Sequence, residues 1–197
     1  MGPIGVLSLQ GDFREHLNAL EQLGVESHKV KKPSDLTGLS GLIIPGGEST
    51  VIDKLTKIYG LADPIRVAIS KGLPVFGTCA GLIMLADRIL DGVQGQETLG
   101  GLDVSVRRNA FGSQLDSFEA HVPFESTVVS AAFIRAPIVE SIGKGVTVLS
   151  TLPDGRIVAV RQGNLLGISF HPEVTGDTQV HEYFVEMCKR ANFTVSN

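Results

Sequence analysis

The sequence predicts a doubly wound α/β fold, a mixed and mostly parallel sheet with helices on both faces that takes on antiparallel strands in its second half. Three observations lead there. Short apolar runs of strand length alternate with amphipathic helical runs through the first half of the chain, a spacing that implies right-handed crossovers between parallel strands. After Asp91 glycines cluster, and helical spacing gives way to short strand-like runs. The 197 residues, 43% hydrophobic and 19% charged, suffice for one sizeable core, so residues 1–197 are read as one domain.

Taken in order, residues 5–9 read as a buried strand, and Phe13, Leu17, Leu20 and Leu23 follow at helical spacing until Gly24. Residues 26–30 suit a second strand and 32–35 a loop, while 41–44 form a third strand ended by Pro45-Gly46-Gly47. Helices are expected over 49–59 and 62–70, then a short buried strand over 74–76 and a helix over 82–89. Further strands are expected at 102–106, 131–135, 146–152, 157–160 and 165–170, with Pro153-Asp154-Gly155 as a hairpin turn signal. Residues 179–191 close the chain as a helix with Val180, Tyr183, Phe184 and Met187 on one face. The expected winding is flavodoxin-like, with ligands gathering at the carboxyl ends of the strands.

Several function classes are disfavoured. A formal charge of −4 with no basic cluster lacks the electrostatic footprint of a nucleic-acid binder. No apolar stretch approaches the roughly 20 residues of a membrane span, and no signal-peptide pattern follows Met1. Cys79 and Cys188 are the only thiols, too few for a disulfide framework, so a reducing compartment and a cytoplasmic location are expected. The triplet Asn192-Phe193-Thr194 matches a glycosylation sequon and is set aside for want of a secretory signal.

Chemistry concentrates at Gly77-Thr78-Cys79-Ala80-Gly81. A nucleophile between small residues at a strand-to-helix junction has the form of a nucleophile elbow, where a strained backbone tolerates only small neighbours. The following helix presents its positive end to the thiol, and the N–H of Ala80 is placed to meet an oxyanion. A free cysteine is more often an inert core residue, but the flanking glycines reverse those odds. A thiol nucleophile needs a base, and the base an orienting group. Ser169-Phe170-His171-Pro172-Glu173 follows the last strand run and supplies both at the same sheet edge. The competing reading of that stretch is a turn that merely ends a strand. His16 and His181 fall within expected helices and His28 and His121 in strand-like runs, so helix-surface or edge roles are expected for them. No H-x-x-x-H or C-x-x-C occurs, and no metal or bound cofactor is expected.

An elbow of this form followed by Ser-Phe-His-Pro-Glu resembles the class I, triad-type glutamine amidotransferases. Three further stretches, Leu9-Gln10-Gly11, Pro45-Gly46-Gly47-Glu48-Ser49-Thr50 and Phe133-Ile134-Arg135-Ala136-Pro137, are similar to the glutaminase subunits of pyridoxal 5'-phosphate synthases. The resemblance implies hydrolysis of L-glutamine to L-glutamate, with ammonia passed to a synthase subunit in a hetero-oligomeric complex. It implies Cys79 as nucleophile, His171 as base and Glu173 as its orienting group. Gly47 and Ala80 would supply the oxyanion hole. Glu48, Ser49, Arg108, Ile134 and Arg135 would contact substrate, and Gln10 would lie near the interface and the oxyanion loop. The arginine falls in Arg107-Arg108-Asn109-Ala110-Phe111-Gly112, where Arg108 directly precedes Asn109 and Arg107 is the other candidate. Independently, glycines at 46 and 47 let a strand-end loop bring N–H groups close to a substrate oxygen, and Ser49 suits an N-cap. The alternatives are a non-catalytic scaffolding subunit, which would normally have lost a triad residue, and another amidotransferase glutaminase such as that of imidazole glycerol phosphate synthase.

Overall fold

A computed structural model of the chain describes residues 1–108, 110 and 117–196. Its first half runs β1 (Ile4–Leu7), α1 (Phe13–Gln22), β2 (Ser27–Val30), a 3-10 turn at Pro33–Leu36, β3 (Gly41–Ile44), α2 (Ser49–Ile58), α3 (Ala62–Ser70) and β4 (Val75–Thr78). The second half runs α4 (Ala80–Leu85), β5 (Ala86–Ile89), β6 (Leu102–Arg107), β7 (Phe118–Phe124), β8 (Thr127–Phe133), β9 (Ile138–Ile142), β10 (Thr147–Thr151), β11 (Ile157–Gln162), β12 (Leu165–Ile168), α5 (Pro172–Thr175) and α6 (Gln179–Ala191).

One sheet carries the order β2-β1-β3-β4-β12-β11-β9-β6-β5, with β10 paired to β11, and β7 and β8 form a separate antiparallel pair. From β2 through β12 every pairing is parallel, and β11, β9 and β6 then pair antiparallel. The mostly parallel sheet with added antiparallel strands is therefore as expected. The central strands β1, β3, β4 and β12 are buried on both faces, and alternation of side chains sorts them into two cores. Leu7, Leu42, Ile44 and Val75 pack with α2, α3 and α4 on one face. Ile4, Val6, Ile43, Phe76 and Leu166 pack with α1, α6 and the β7–β8 hairpin on the other.

Several expectations change. The helix expected over 82–89 stops at Leu85, where Ala86 turns extended, and 86–89 become β5 beside β6. Polar pairing drives the switch: Arg88 donates to Ser105 Oγ at 2.8 Å and Asp103 Oδ1 at 2.7 Å, and Asp87 Oδ1 accepts the Gly101 N–H at 2.7 Å. The strand-like run around His121 is β7, β9 is a strand without a counterpart in the expected order, and the strand expected at 131–135 begins at Thr127 and ends at Phe133. Residues 32–35, expected as loop, enter the 3-10 turn at Pro33. Among the described residues, no helix is long and apolar enough to cross a membrane.

Candidate active site

The loops after β1, β3, β4 and β12 gather on one sheet edge to build the site, and the residues after β6 and β8 complete its wall. Gly77 in β4 and Gly81 in α4 let the chain reverse tightly from strand into helix. A Cβ on Gly77 would overlap the Gly81 main chain, and one on Gly81 would overlap the Ile44 carbonyl of β3. Between them Cys79 adopts φ 48° and ψ −103°, a conformation that L residues hold only when the surrounding structure imposes it. Its N–H donates to the Ile168 carbonyl at 2.8 Å, which ties the elbow to the end of β12. The thiol is buried, with Sγ 4.0 Å from the Ile134 carbonyl oxygen. α4 is six residues long, so the dipole it offers the thiol is that of fewer than two turns.

β12 ends on the same edge, and Pro172 opens α5, which brings Glu173 back towards His171. His171 Nδ1 lies 2.8 Å from Glu173 Oε1 and donates to it, and the ring shares the wall of one cavity with Cys79. Burial alone would lower the basicity of His171, but hydrogen bonds and charge from Cys79 and Glu173 outweigh it and push the pKa up to about 11. Burial raises the pKa of Glu173 against the pull of His171, so its charge depends on that imidazolium partner. Asp12 Oδ2 lies 3.6 Å from His171 Nδ1, and burial raises that carboxyl too, again opposed by His171. Asp12, His171 and Glu173 each place a possible metal-ligand atom within 4.8 Å of the others; the contact between the last two is accounted for as the hydrogen bond that orients the ring.

The loop after β3 closes one wall. A Cβ on Gly46 would overlap the His171 ring, and one on Gly47 would overlap the Gln10 carboxamide. Gly47 sits at φ 145°. The Glu48 N–H donates to Gln10 Oε1 at 2.9 Å, across the point where β1 and β3 diverge in winding. Ser49 does not cap α2: Glu48 holds that position without a side-chain cap, and the buried Ser49 hydroxyl accepts from Gln96 Nε2 at 3.0 Å. Gln96 Oε1 in turn accepts from Arg108 Nη1 at 3.2 Å. Arg107 turns away and pairs with Glu140.

A cavity of about 290 Å³ opens between these loops. Gln10, Gly47, Glu48, Ser49, Cys79, Arg108, Ile134, Arg135 and His171 line it, whereas Gly46, Ala80, Arg107 and Glu173, also singled out in the sequence, do not. Glu48 carries the negative charge at the mouth, with Arg108 Nη2 at 3.9 Å and Arg135 Nη1 at 4.0 Å. Arg135 holds φ 46°, a left-handed backbone without glycine. An acid flanked by two guanidinium groups suits a zwitterion, whose ammonium and carboxylate need opposite partners. Asn109, Phe111 and Gly112 of the arginine motif lie outside the described residues.

Sequence reasoning missed Asp12, Gln96, His16 and His181. The last two were expected on helix surfaces, yet both are fully buried and bonded to each other, His16 Nδ1 to His181 Nε2 at 2.9 Å. The signal was present. His16 shares the inward stripe of Phe13, Leu17 and Leu20, and His181 that of Phe184, Val185 and Cys188. His28 and His121 lie away from the cavity, bonded to the Asp35 carbonyl and Ser130.

Comparison with known proteins gives a consistent result. Residues 6–190 match the family model for the SNO glutamine amidotransferase family. The pyridoxal 5'-phosphate synthase subunit PdxT of Leifsonia xyli subsp. xyli is 60% identical over 185 residues, covering 92% of this chain and 93% of that protein. PdxT of Clavibacter sepedonicus is 58% identical over 198 residues, 98% of this chain and 95% of that one. A crystal structure of a glutamine amidotransferase superposes with a TM-score of 0.90 at 49% identity, covering 95% of this chain and all of that one. A putative GMP synthase protein of Thermoplasma acidophilum shares the fold at 18% identity, with a TM-score of 0.68 over 98% of this chain and 96% of its own.

Proposed function

From the premise that the chain belongs to the SNO glutamine amidotransferase family, we propose that residues 1–197 act as one glutaminase domain that feeds a pyridoxal 5'-phosphate synthase. The protein hydrolyses L-glutamine to L-glutamate and ammonia, and the ammonia goes to the partner synthase subunit. The observation that carries the mechanism is the orientation of His171 by Glu173 at 2.8 Å, in a cavity whose wall His171 shares with the strained Cys79.

The proton of Cys79 rests on His171 Nε2, the nitrogen left free by the Glu173 bond, as the raised basicity of that ring requires, and the thiolate Sγ attacks the side-chain amide carbon. The carbonyl electrons become an oxyanion, which the N–H groups of Ala80 and Gly47 receive. Collapse expels the amide nitrogen, which takes the proton from His171 and leaves as ammonia. The thioester is then cut by water: His171 removes its proton, glutamate departs, and the thiol is restored. Arg108 and Arg135 hold the α-carboxylate, Glu48 the α-ammonium, and Ser49 and Ile134 the body of the substrate.

The test is glutamate release from L-glutamine by the protein alone and with a purified pyridoxal 5'-phosphate synthase subunit, with Cys79→Ala as control. Release that rises with the partner and vanishes in the variant is the expected result. No release under either condition, with binding of the partner demonstrated, overturns it in favour of a scaffolding subunit.

A further inference from the structure

Behind Glu173, on the side away from the cavity, lies a buried pair of histidines that the mechanism above does not use. His16 comes from α1 and His181 from α6, and neither reaches solvent. His16 Nε2 lies 3.4 Å from Glu173 Oε1, the oxygen that also accepts from His171, and 3.1 Å from the hydroxyl of Thr78, the residue before the nucleophile. His16 Nδ1 meets His181 Nε2 at 2.9 Å, and His181 Nδ1 is buried with no partner.

Proton placement in this chain has two solutions when both rings are neutral. If His16 carried its proton on Nδ1, His181 would carry its own on Nδ1, a buried N–H with nothing to receive it. The bare Nε2 lone pair of His16 would also face a carboxylate. If both rings carry the proton on Nε2, His181 donates to His16, and His16 presents its N–H to Glu173 and Thr78. The orphan left on the two rings is then a lone pair, which costs less to bury than a donor; Glu173 Oε2 is buried without a partner in either arrangement. The second arrangement is the one the surroundings support.

We propose that His16 is a positioning residue for the triad: held by His181 as the Nε2–H tautomer, it presents a neutral dipole to the back of Glu173 and so keeps that carboxylate aimed at His171. The role rests on the triad reading given above. Neutrality is part of it, because a cation at His16 would compete with His171 for the same oxygen. The charged and titratable groups around the carboxylate are His171 beside it, Asp12 from the β1 loop, and His16 from α1. Those around the histidine pair are Glu173, His171 and, facing His181, Asp177. Burial lowers the basicity of both rings, well below the ordinary value for His16 and to about 4 for His181. Phe76 meets both rings edge-on and seals the pair from below.

The test uses the full protein and two readouts that do not involve glutamine. Nitrogen-15 NMR of the imidazoles at neutral pH is expected to show His16 and His181 as neutral Nε2–H tautomers; a proton on Nδ1 of His16, or a charged ring, overturns the proposal. The rate of Cys79 alkylation by iodoacetamide across pH is the second. His16→Leu is expected to slow it about tenfold near pH 7, the scale of one hydrogen bond to a charged group, and His16→Gln, which keeps a donor near the Nε2 position, to recover most of the loss. A folded His16→Leu protein with the wild-type alkylation profile overturns the proposal, and where that variant does not fold the NMR result decides. Should alkylation respond as expected while glutamine is not hydrolysed, the substrate reading fails and the positioning role stands.

Discussion

The carboxamide oxygen of Gln10 accepts the main-chain N–H of Glu48 at 2.9 Å, so the loop after β1 fixes the conformation of the loop after β3. The same carboxamide occupies the space that a Cβ on Gly47 would need. Gln10 is therefore a side-chain latch on the loop after β3, one hydrogen bond beside the main-chain bond from the Asp12 N–H to the Gly46 carbonyl at 3.2 Å. Gln10→Ala is expected to raise the glutaminase activity of the isolated protein about fivefold, the scale of one neutral hydrogen bond, and to shrink the activation by the synthase subunit by a similar factor. Turnover with and without the partner measures both, and unchanged activation would show that the latch does not control the loop.

Gly46 and Gly47 should separate two steps of the reaction. A side chain at Gly46 displaces the His171 ring, whereas one at Gly47 disturbs an N–H donor in a backbone region open to glycine. Gly46→Ala is expected to depress both Cys79 alkylation and turnover. Gly47→Ala should leave alkylation within about twofold and reduce turnover by about a hundredfold, the scale of a lost oxyanion donor. Equal effects of the two substitutions on alkylation would remove Gly47 from the oxyanion hole.

Much of this site was legible because its chemistry sits in contiguous motifs. An elbow needs glycines beside the nucleophile, and a base oriented by a near neighbour through a proline needs three consecutive residues. The supporting residues follow no such local rule. Gln96 reaches Ser49 and Arg108 from a loop, and only the folded path of that loop makes the bridge. The histidine pair was open to detection from the helical stripes but was assigned by residue type, polar side chains being expected outside. The end of α4 failed for a different reason. Leu82, Leu85 and Ile89 keep helical spacing, yet pairing with β6 and the Arg88 contacts to Ser105 and Asp103 favour a strand, a tertiary effect that local periodicity does not contain.

The arginine doublet divides between the cavity and the surface. Arg108 lines the cavity and is held by Gln96, while Arg107 pairs with Glu140 in an exposed ion pair of the kind that contributes little. Arg108→Ala is expected to raise KM for glutamine by about thirtyfold, the loss of a charge-assisted contact, with a smaller change in kcat. Arg107→Ala should leave both within about twofold. Steady-state kinetics of the complex decide, and the reverse pattern would reassign the carboxylate contact.

The buried histidines also set how the fold responds to acid. His181 has a folded pKa of about 4, and His16 lies well below its ordinary value, both because burial penalises the charged ring. Unfolded, each titrates near 6.5. Below that pH the unfolded chain binds protons that the folded state refuses, so stability present above about pH 6.5 is lost as pH falls towards the folded values. Asp12 and Glu173, with raised folded values, act in the opposite sense and soften the total, which makes the difference between variants the useful quantity. Replacing His181 by Phe, among Phe76 and Phe184, removes one such ring while retaining its bulk. Urea unfolding at pH 7.5 and at pH 5.0 is expected to show the variant losing about 2 kcal/mol less than the wild type between the two conditions, the linkage of a single histidine over that interval. Equal losses in the two proteins would mean that His181 takes up its proton within the fold, and that the ring behind His16 is not held neutral.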